Sequence, residues 1–225
     1  ALPTLARRTA AAGLTGFELI EGSCFAASPA GTTNRADYET MRDEILGQLK
    51  AAMDMLAGGD GGSLASRYAR FQNRERIGLI PFSSRPMATQ RFDMGAGEVE
   101  NRATLYAIRV DVARMQADGG TAIYDSVQQA LVELAVEKRS ESSPRYYTVV
   151  LMTDGQNTDG MALDELLSWR ARQDAAIQSI RVFPIVFGNA DLDEMSALAE
   201  ATGGKAFDAN GRALALVFKD IRGYQ

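Results

Sequence analysis

The sequence predicts an α/β fold, a mostly parallel sheet covered by helices on both faces. Short apolar runs alternate along the chain with helix-length amphipathic segments, so successive strands are joined by crossovers. Two of the runs, "YYTVVLM" (146–152) and "IRVFPIVFG" (180–188), are almost continuously apolar, as strands buried on both faces are. Glycine-rich or polar loops follow the runs, and in open parallel sheets ligands bind beyond the carboxyl ends of the strands.

The elements follow from period and punctuation. "FELIEGS" (17–23) reads as a first short strand, and the small and turn-forming residues of "AASPAGTTN" (26–34) as a loop. "ADYETMRDEILGQLKAAMDML" (36–56) places Met41, Ile45, Leu49, Ala52 and Leu56 on one helical stripe, which "GGDGGS" (58–63) breaks. "RIGLIPFSS" (76–84) reads as a strand whose proline points to an irregular or edge position. After "FDMGAG" (92–97) a helix carries Leu105, Ile108 and Val112. "ADGGTAIYDSVQQALVELAVEKR" (117–139) is a glycine turn running into a helix that buries Ile123, Val127, Leu131 and Leu134. Beyond the strand at 146–152, "ALDELLSWRARQDAAIQS" (162–179) reads as one helical stretch, with Trp169 as packing or a surface ring. "DLDEMSALAEATGG" (191–204) is a helix ended by glycines, "KAFDA" (205–209) a short strand and "GRALALVFKDIRGY" (211–224) a closing helix.

The 225 residues fit one large domain, with neither an internal repeat nor a second unit in the pattern. Residues 1–16 read as an N-terminal extension and 17–225 as the domain. The extension lacks a continuous apolar core and is a poor signal peptide. No run is long enough to span a membrane. With 24 basic against 29 acidic residues the net charge is −5, which argues against nucleic acid as a partner. The cluster Arg67, Arg70, Arg74 and Arg76 reads as a solvated basic face. The chain has no histidine, which excludes Ser-His-Asp triads and His-ligated zinc. Its one cysteine, Cys24, excludes an internal disulfide and suits a small buried apolar position.

The chemistry lies in three loops: "EGSCFAAS" (21–28), "ADGGTAIYD" (117–125) and "TDGQNTDG" (153–160). A carboxylate beside the end of a buried strand, Asp154, needs hydrogen bonds, a counter-charge or an ion. Thr121 adds a neutral hydroxyl, and Glu21, Ser23 or Ser28 further oxygens. Hard oxygen donors of this kind suit magnesium, manganese or calcium. Each loop also has a bland reading: "GGT" as a helix N-cap and "TDG" as a turn. Asp125 and Asp159, flanking the second and third loops, are candidates for supporting the ligands, although capping and solvation are commoner roles.

In order and spacing, "ADGGTAIYDSVQQAL", "TVVLMTDGQNTDG" and "RVFPIVFGNADLDEMSALAEATGGKAFDA" resemble successive stretches of a von Willebrand factor type A domain. "RYARFQNRERIGLIPFSS" and "LVFKDIRGYQ" are further similar to bacterial proteins in which such a domain follows a solute-binding-protein-like domain. The resemblance covers residues 36 to 225 well and the beginning of the chain poorly.

The resemblance implies a Rossmann-like, doubly wound sheet with a metal-ion-dependent adhesion site at its top. In that site an Asp-x-Ser-x-Ser loop, a threonine and an aspartate hold the ion. Thr121 matches the threonine and Asp154 the aspartate. The first loop departs: with Glu21 at the Asp position and Ser23 at the first serine, Phe25 falls at the second, and phenylalanine cannot ligate. Three outcomes stay open. The site survives with additional water ligands, Asp37 or Ser28 supplies an oxygen, or the site holds no ion and Asp154 is satisfied by hydroxyls and amides.

The function implied is non-enzymatic protein binding, through an acidic residue of a partner that completes the coordination of magnesium, manganese or calcium. The alternative is a metal-independent interaction or structural domain on the same fold. A metal-assisted phosphohydrolase using Asp154 ranks well behind, since the chain offers no phosphate-cradling Gly-x-x-x-x-Gly-Lys loop. The related architectures imply an extracytoplasmic, membrane-anchored bacterial parent.

Overall fold

A computed structural model describes residues 47, 50, 51, 53–58, 71, 73–115, 120–142, 145–153, 156–187, 191–210, 216–218, 220 and 221. The elements are β1 (Arg76–Leu79), β2 (Gln90–Asp93), α1 (Glu98–Ala113), α2 (Ile123–Ser140), β3 (Thr148–Thr153), α3 (Leu163–Ala171), α4 (Ala175–Gln178), β4 (Arg181–Val186), α5 (Leu192–Thr202) and β5 (Phe207–Asp208). Residues 53–56 and 216–218 are helical as well. The strand read at 17–23 lies outside the described residues, as do Met41, Ile45, Leu49 and Ala52.

The strands β3, β4 and β5 form a parallel sheet in that order. β3 and β4 pair from Thr148 opposite Arg181 to Thr153 opposite Val186, and β5 joins only at Ile185 and Val186. Alternation along the strands divides the apolar residues between two cores. From β3, Val149 and Leu151 enter one core with α2, Leu166, Ile177, Met195 and Leu198. Val150 and Met152 pack on the other, with Phe183, Ile185, Ile108, Val112 and the helical residues Met53, Leu56, Val217 and Phe218. Helices therefore cover both faces of a parallel sheet, the doubly wound α/β arrangement. Leu131, Leu166, Phe183 and Ile185 are fully buried, and each such side chain contributes about 1.5–3 kcal/mol of apolar burial.

Pro184 stands inside the central strand without breaking it. The Phe187 amide donates to Thr153 O on the β3 side. The Val182 amide turns the other way, to Thr202 Oγ1 at 3.1 Å. Pro184 shares the parity of Val182, so its missing N–H faces the side on which β5 begins one residue later, at Ile185. Thr202, buried, also donates back to Leu198 and Ala199 and so fastens the end of α5 to β4.

Two expectations need correction. The segment 76–84 is a strand only to Leu79, and a second strand, β2, pairs antiparallel with it from Arg76 opposite Asp93 to Leu79 opposite Gln90. The stretch 162–179 is two helices, because the Asp174 side chain caps a new start at the Ile177 amide. Arg139 of α2 grips the same carboxylate at 2.7 Å. Trp169 packs partly buried against the core that holds α2. Of the four clustered arginines, Arg76 pairs with Glu141 at 2.8 Å, and Arg67 and Arg70 lie outside the described residues.

Candidate functional site

β3 ends at Thr153, and the polypeptide returns at 156–161 beside the start of α2. The junction between that returning loop and residues 120–123 is hydrogen-bonded residue by residue. The Thr121 amide donates to Thr158 Oγ1 at 2.8 Å. The Thr121 carbonyl accepts from the amides of Thr158 at 2.9 Å and Asp159 at 3.3 Å. Thr158 Oγ1, having accepted one proton, donates its own to Asp159 Oδ2 at 3.3 Å. The Ile123 amide donates to Asn157 Oδ1 at 2.8 Å, and Asn157 Nδ2 donates to Met161 O at 2.9 Å. The Met161 amide then donates to Asp125 Oδ2 at 3.2 Å.

The loop between β1 and β2 forms a third wall. The Gly120 amide donates to Ser84 Oγ at 2.8 Å, and the Ala122 amide to Ser83 O at 2.7 Å. Two glycines make this packing possible. A Cβ on Gly120 would overlap the Asp159 carboxylate, and one on Gly160, where φ is +74°, would overlap that of Asp125.

The N-cap of α2 is Ala122, which has no side-chain acceptor to offer. Thr121 therefore does not cap the helix, and the bland reading of "GGT" fails. Both backbone groups of Thr121 are engaged by the third loop, while its half-buried side-chain hydroxyl makes no hydrogen bond among the described residues. The donors that meet here are hydroxyl and carboxylate oxygens, the set suited to a hard divalent cation. Among the described residues no group of His, Cys, Asp and Glu is large enough to hold a metal by itself.

Of the residues singled out in the sequence, Thr121, Asp125 and Asp159 come together at this junction. Asp154, Glu21, Ser23, Ser28 and Asp37 lie outside the described residues. Ser83, Ser84, Asn157 and Thr158 were not among the sequence candidates. For Asn157 the available signal was indirect: a helix beginning at Ile123 with alanine in the capping position needs an acceptor from elsewhere.

Tyr124, one residue into α2, is fully buried, and among the described residues its hydroxyl has no partner in hydrogen-bonding geometry. Burial, and then the neighbouring carboxylates of Glu194 and Asp191, push its pKa well above the ordinary tyrosine value. Among the described residues no helix is long and apolar enough to cross a membrane.

The model of the von Willebrand factor type A domain family matches residues 41–216. No curated protein matches the chain. Among solved structures, a von Willebrand factor type A protein from Catenulispora acidiphila is 15% identical with a TM-score of 0.52, over 76% of this chain and 36% of that one. Proximal thread matrix protein 1 from the mussel byssus is 15% identical with a TM-score of 0.51, over 83% of this chain and 44% of the other. The chain thus spans less than half the length of either, and at this identity the likeness is one of fold. With a parallel sheet between two helical layers and a family match over most of its length, the chain belongs to the von Willebrand factor type A domain family.

Proposed function

We propose that this domain binds a protein partner at the loop junction of residues 120–122 and 156–161, gripping an acidic side chain through a divalent cation. Von Willebrand factor type A domains are protein-interaction modules, and the site is the finer part of the reading. Thr121 and Asp154 hold the ion, with Glu21 and Ser23 as the remaining protein ligands and magnesium, manganese or calcium as the ion. Asp125 and Asp159 support the ligating loops, with Ser28 in reserve on the first. The domain acts by binding, and the partner's carboxylate completes the coordination.

The observation that carries the reading is the state of Thr121: both its peptide groups are tied down while its hydroxyl makes no hydrogen bond among the described residues. A ligand fixed by its backbone with a free oxygen is preorganised for an ion. Arg85 supports an acidic partner, since it is exposed beside Ser84, whose hydroxyl holds Gly120.

Calorimetric titration of the metal-stripped protein with magnesium and then manganese tests this. Saturable binding, lost in both Thr121→Ala and Asp154→Ala, is expected. A parent that takes up neither ion would overturn it. The second reading, metal-independent interaction on the same fold, would then stand, as Phe25 at a ligand position already favours.

A further inference from the structure

We propose that Asn157 is the positioning residue of this site, the clasp that seats the third loop on α2 and presents the Thr121 hydroxyl. The proposal rests on reading Thr121 as an ion ligand. A helix leaves its first amides without internal partners, and a Ser, Thr, Asp or Asn just before it normally accepts from one of them. In α2 that position is Ala122, which cannot. The acceptor comes instead from 34 residues downstream, as Asn157 Oδ1 takes the Ile123 amide at 2.8 Å. The other end of the same side chain, Nδ2, holds the Met161 carbonyl at 2.9 Å, and Asp125 holds the Met161 amide. One carboxamide thus joins the rim of α2 to the far end of the third loop.

Asparagine suits this task because it is both acceptor and donor. Aspartate could cap Ile123 but could not donate to Met161 O, and serine is too short to span the two. The consequence for Thr121 is indirect. Its amide and carbonyl bond to Thr158 and Asp159, the residues between the two anchors of the clasp. If the clasp opens, Thr158 and Asp159 drift from Thr121, and its hydroxyl loses its fixed direction while the core stays packed.

The test uses the full chain as the parent and as Asn157→Ala, with Asp174→Ala as a control that removes the α4 cap. In metal-free protein, amide hydrogen exchange resolved by NMR should be at least tenfold faster at both Ile123 and Thr121 in Asn157→Ala, and unchanged at both in Asp174→Ala. Manganese affinity, by calorimetry, should fall at least tenfold in Asn157→Ala and stay within twofold in the control. Faster exchange at Ile123 alone would make Asn157 a plain helix cap and overturn the proposal. So would unchanged manganese affinity in a parent that binds it. If the parent binds no manganese, the ion reading fails by itself, and the Thr121 exchange rate still decides whether Asn157 is the clasp.

Discussion

Replacing Gly160 by alanine separates two contributions that the structure places at one residue. Gly160 has φ +74°, and a residue with a Cβ in the left-handed region costs about 1–2 kcal/mol. Gly203, with φ +75°, closes α5 in the same conformation, and nothing stands within 4 Å of where its Cβ would be. Gly203→Ala therefore measures the backbone contribution alone. At Gly160 the added methyl also takes the place of the Asp125 carboxylate, which accepts the Met161 amide at 3.2 Å. A hydrogen bond to a charged group is worth about 1.5–3 kcal/mol. The lower figure applies, because Gly160 is exposed and water can replace the lost partner. Gly160→Ala should therefore cost about 3 kcal/mol in all, roughly 1.5 kcal/mol more than Gly203→Ala.

For a domain of 225 residues each kcal/mol shifts the melting temperature by roughly 2–4 °C. Gly160→Ala should then melt roughly 3–6 °C below Gly203→Ala, with the same ordering in urea midpoints and no change in the slope m. In an Asp125→Ala background the difference between the two glycine variants should vanish, since the displaced group is already gone. Equal midpoints for the two single variants would refute the reasoning, and so would an excess for Gly160→Ala that survives the loss of Asp125.

Gly204→Ala should destabilise by a different route. A Cβ there meets the backbone of Val182, with its amide nitrogen at 3.3 Å and its carbonyl oxygen closer still. Backbone cannot swing aside, so the loss should reach the upper end of the roughly 1–3 kcal/mol that overpacking costs, seen as a lower urea midpoint and faster exchange at the Val182 amide. Tyr124→Phe should be neutral or slightly stabilising at pH 7, since it removes a buried hydroxyl that has no partner in hydrogen-bonding geometry among the described residues. Its effect grows in alkali. Because the folded pKa is raised, the stability contributed by the protonated phenol is complete below the unfolded pKa of about 10 and is lost above it. At pH 11 the advantage of Tyr124→Phe over the parent should exceed its value at pH 7 by about 1.4 kcal/mol. Equal differences at the two pH values in chemical denaturation would contradict this.

The fold was legible where one face or both faces of an element are buried. β3 and β4 announce themselves through continuous apolar runs, and α2 through Ile123, Val127 and Leu131, all in its core. β2 was not legible, because "QRFD" carries a single apolar residue and gains its strand character from pairing with β1. The break between α3 and α4 was missed for a related reason. Asp174 is an ordinary surface residue by sequence and becomes a cap only where Arg139 and the Ile177 amide converge on it. At the site, Thr121 was read from the sequence both as an ion ligand and, in the bland reading, as a helix cap. Its distinction from a helix cap depends on Asn157, which no local window contains.

That long-range cap ties the two readings of "GGT" together physically. A threonine hydroxyl at the start of a helix is attracted to the helix's own free amides, and once spent there it is unavailable to a ligand. Shifting the helix start by one residue, to put Ala122 at the cap, removes that competition only if the first amides find partners elsewhere. Ser83 O takes the Ala122 amide and Asn157 the Ile123 amide, so these two first amides of α2 are satisfied without the Thr121 hydroxyl. A serine or aspartate at 122 would accept from the next amides, those of Tyr124 or Asp125, and leave the Ile123 amide to Asn157.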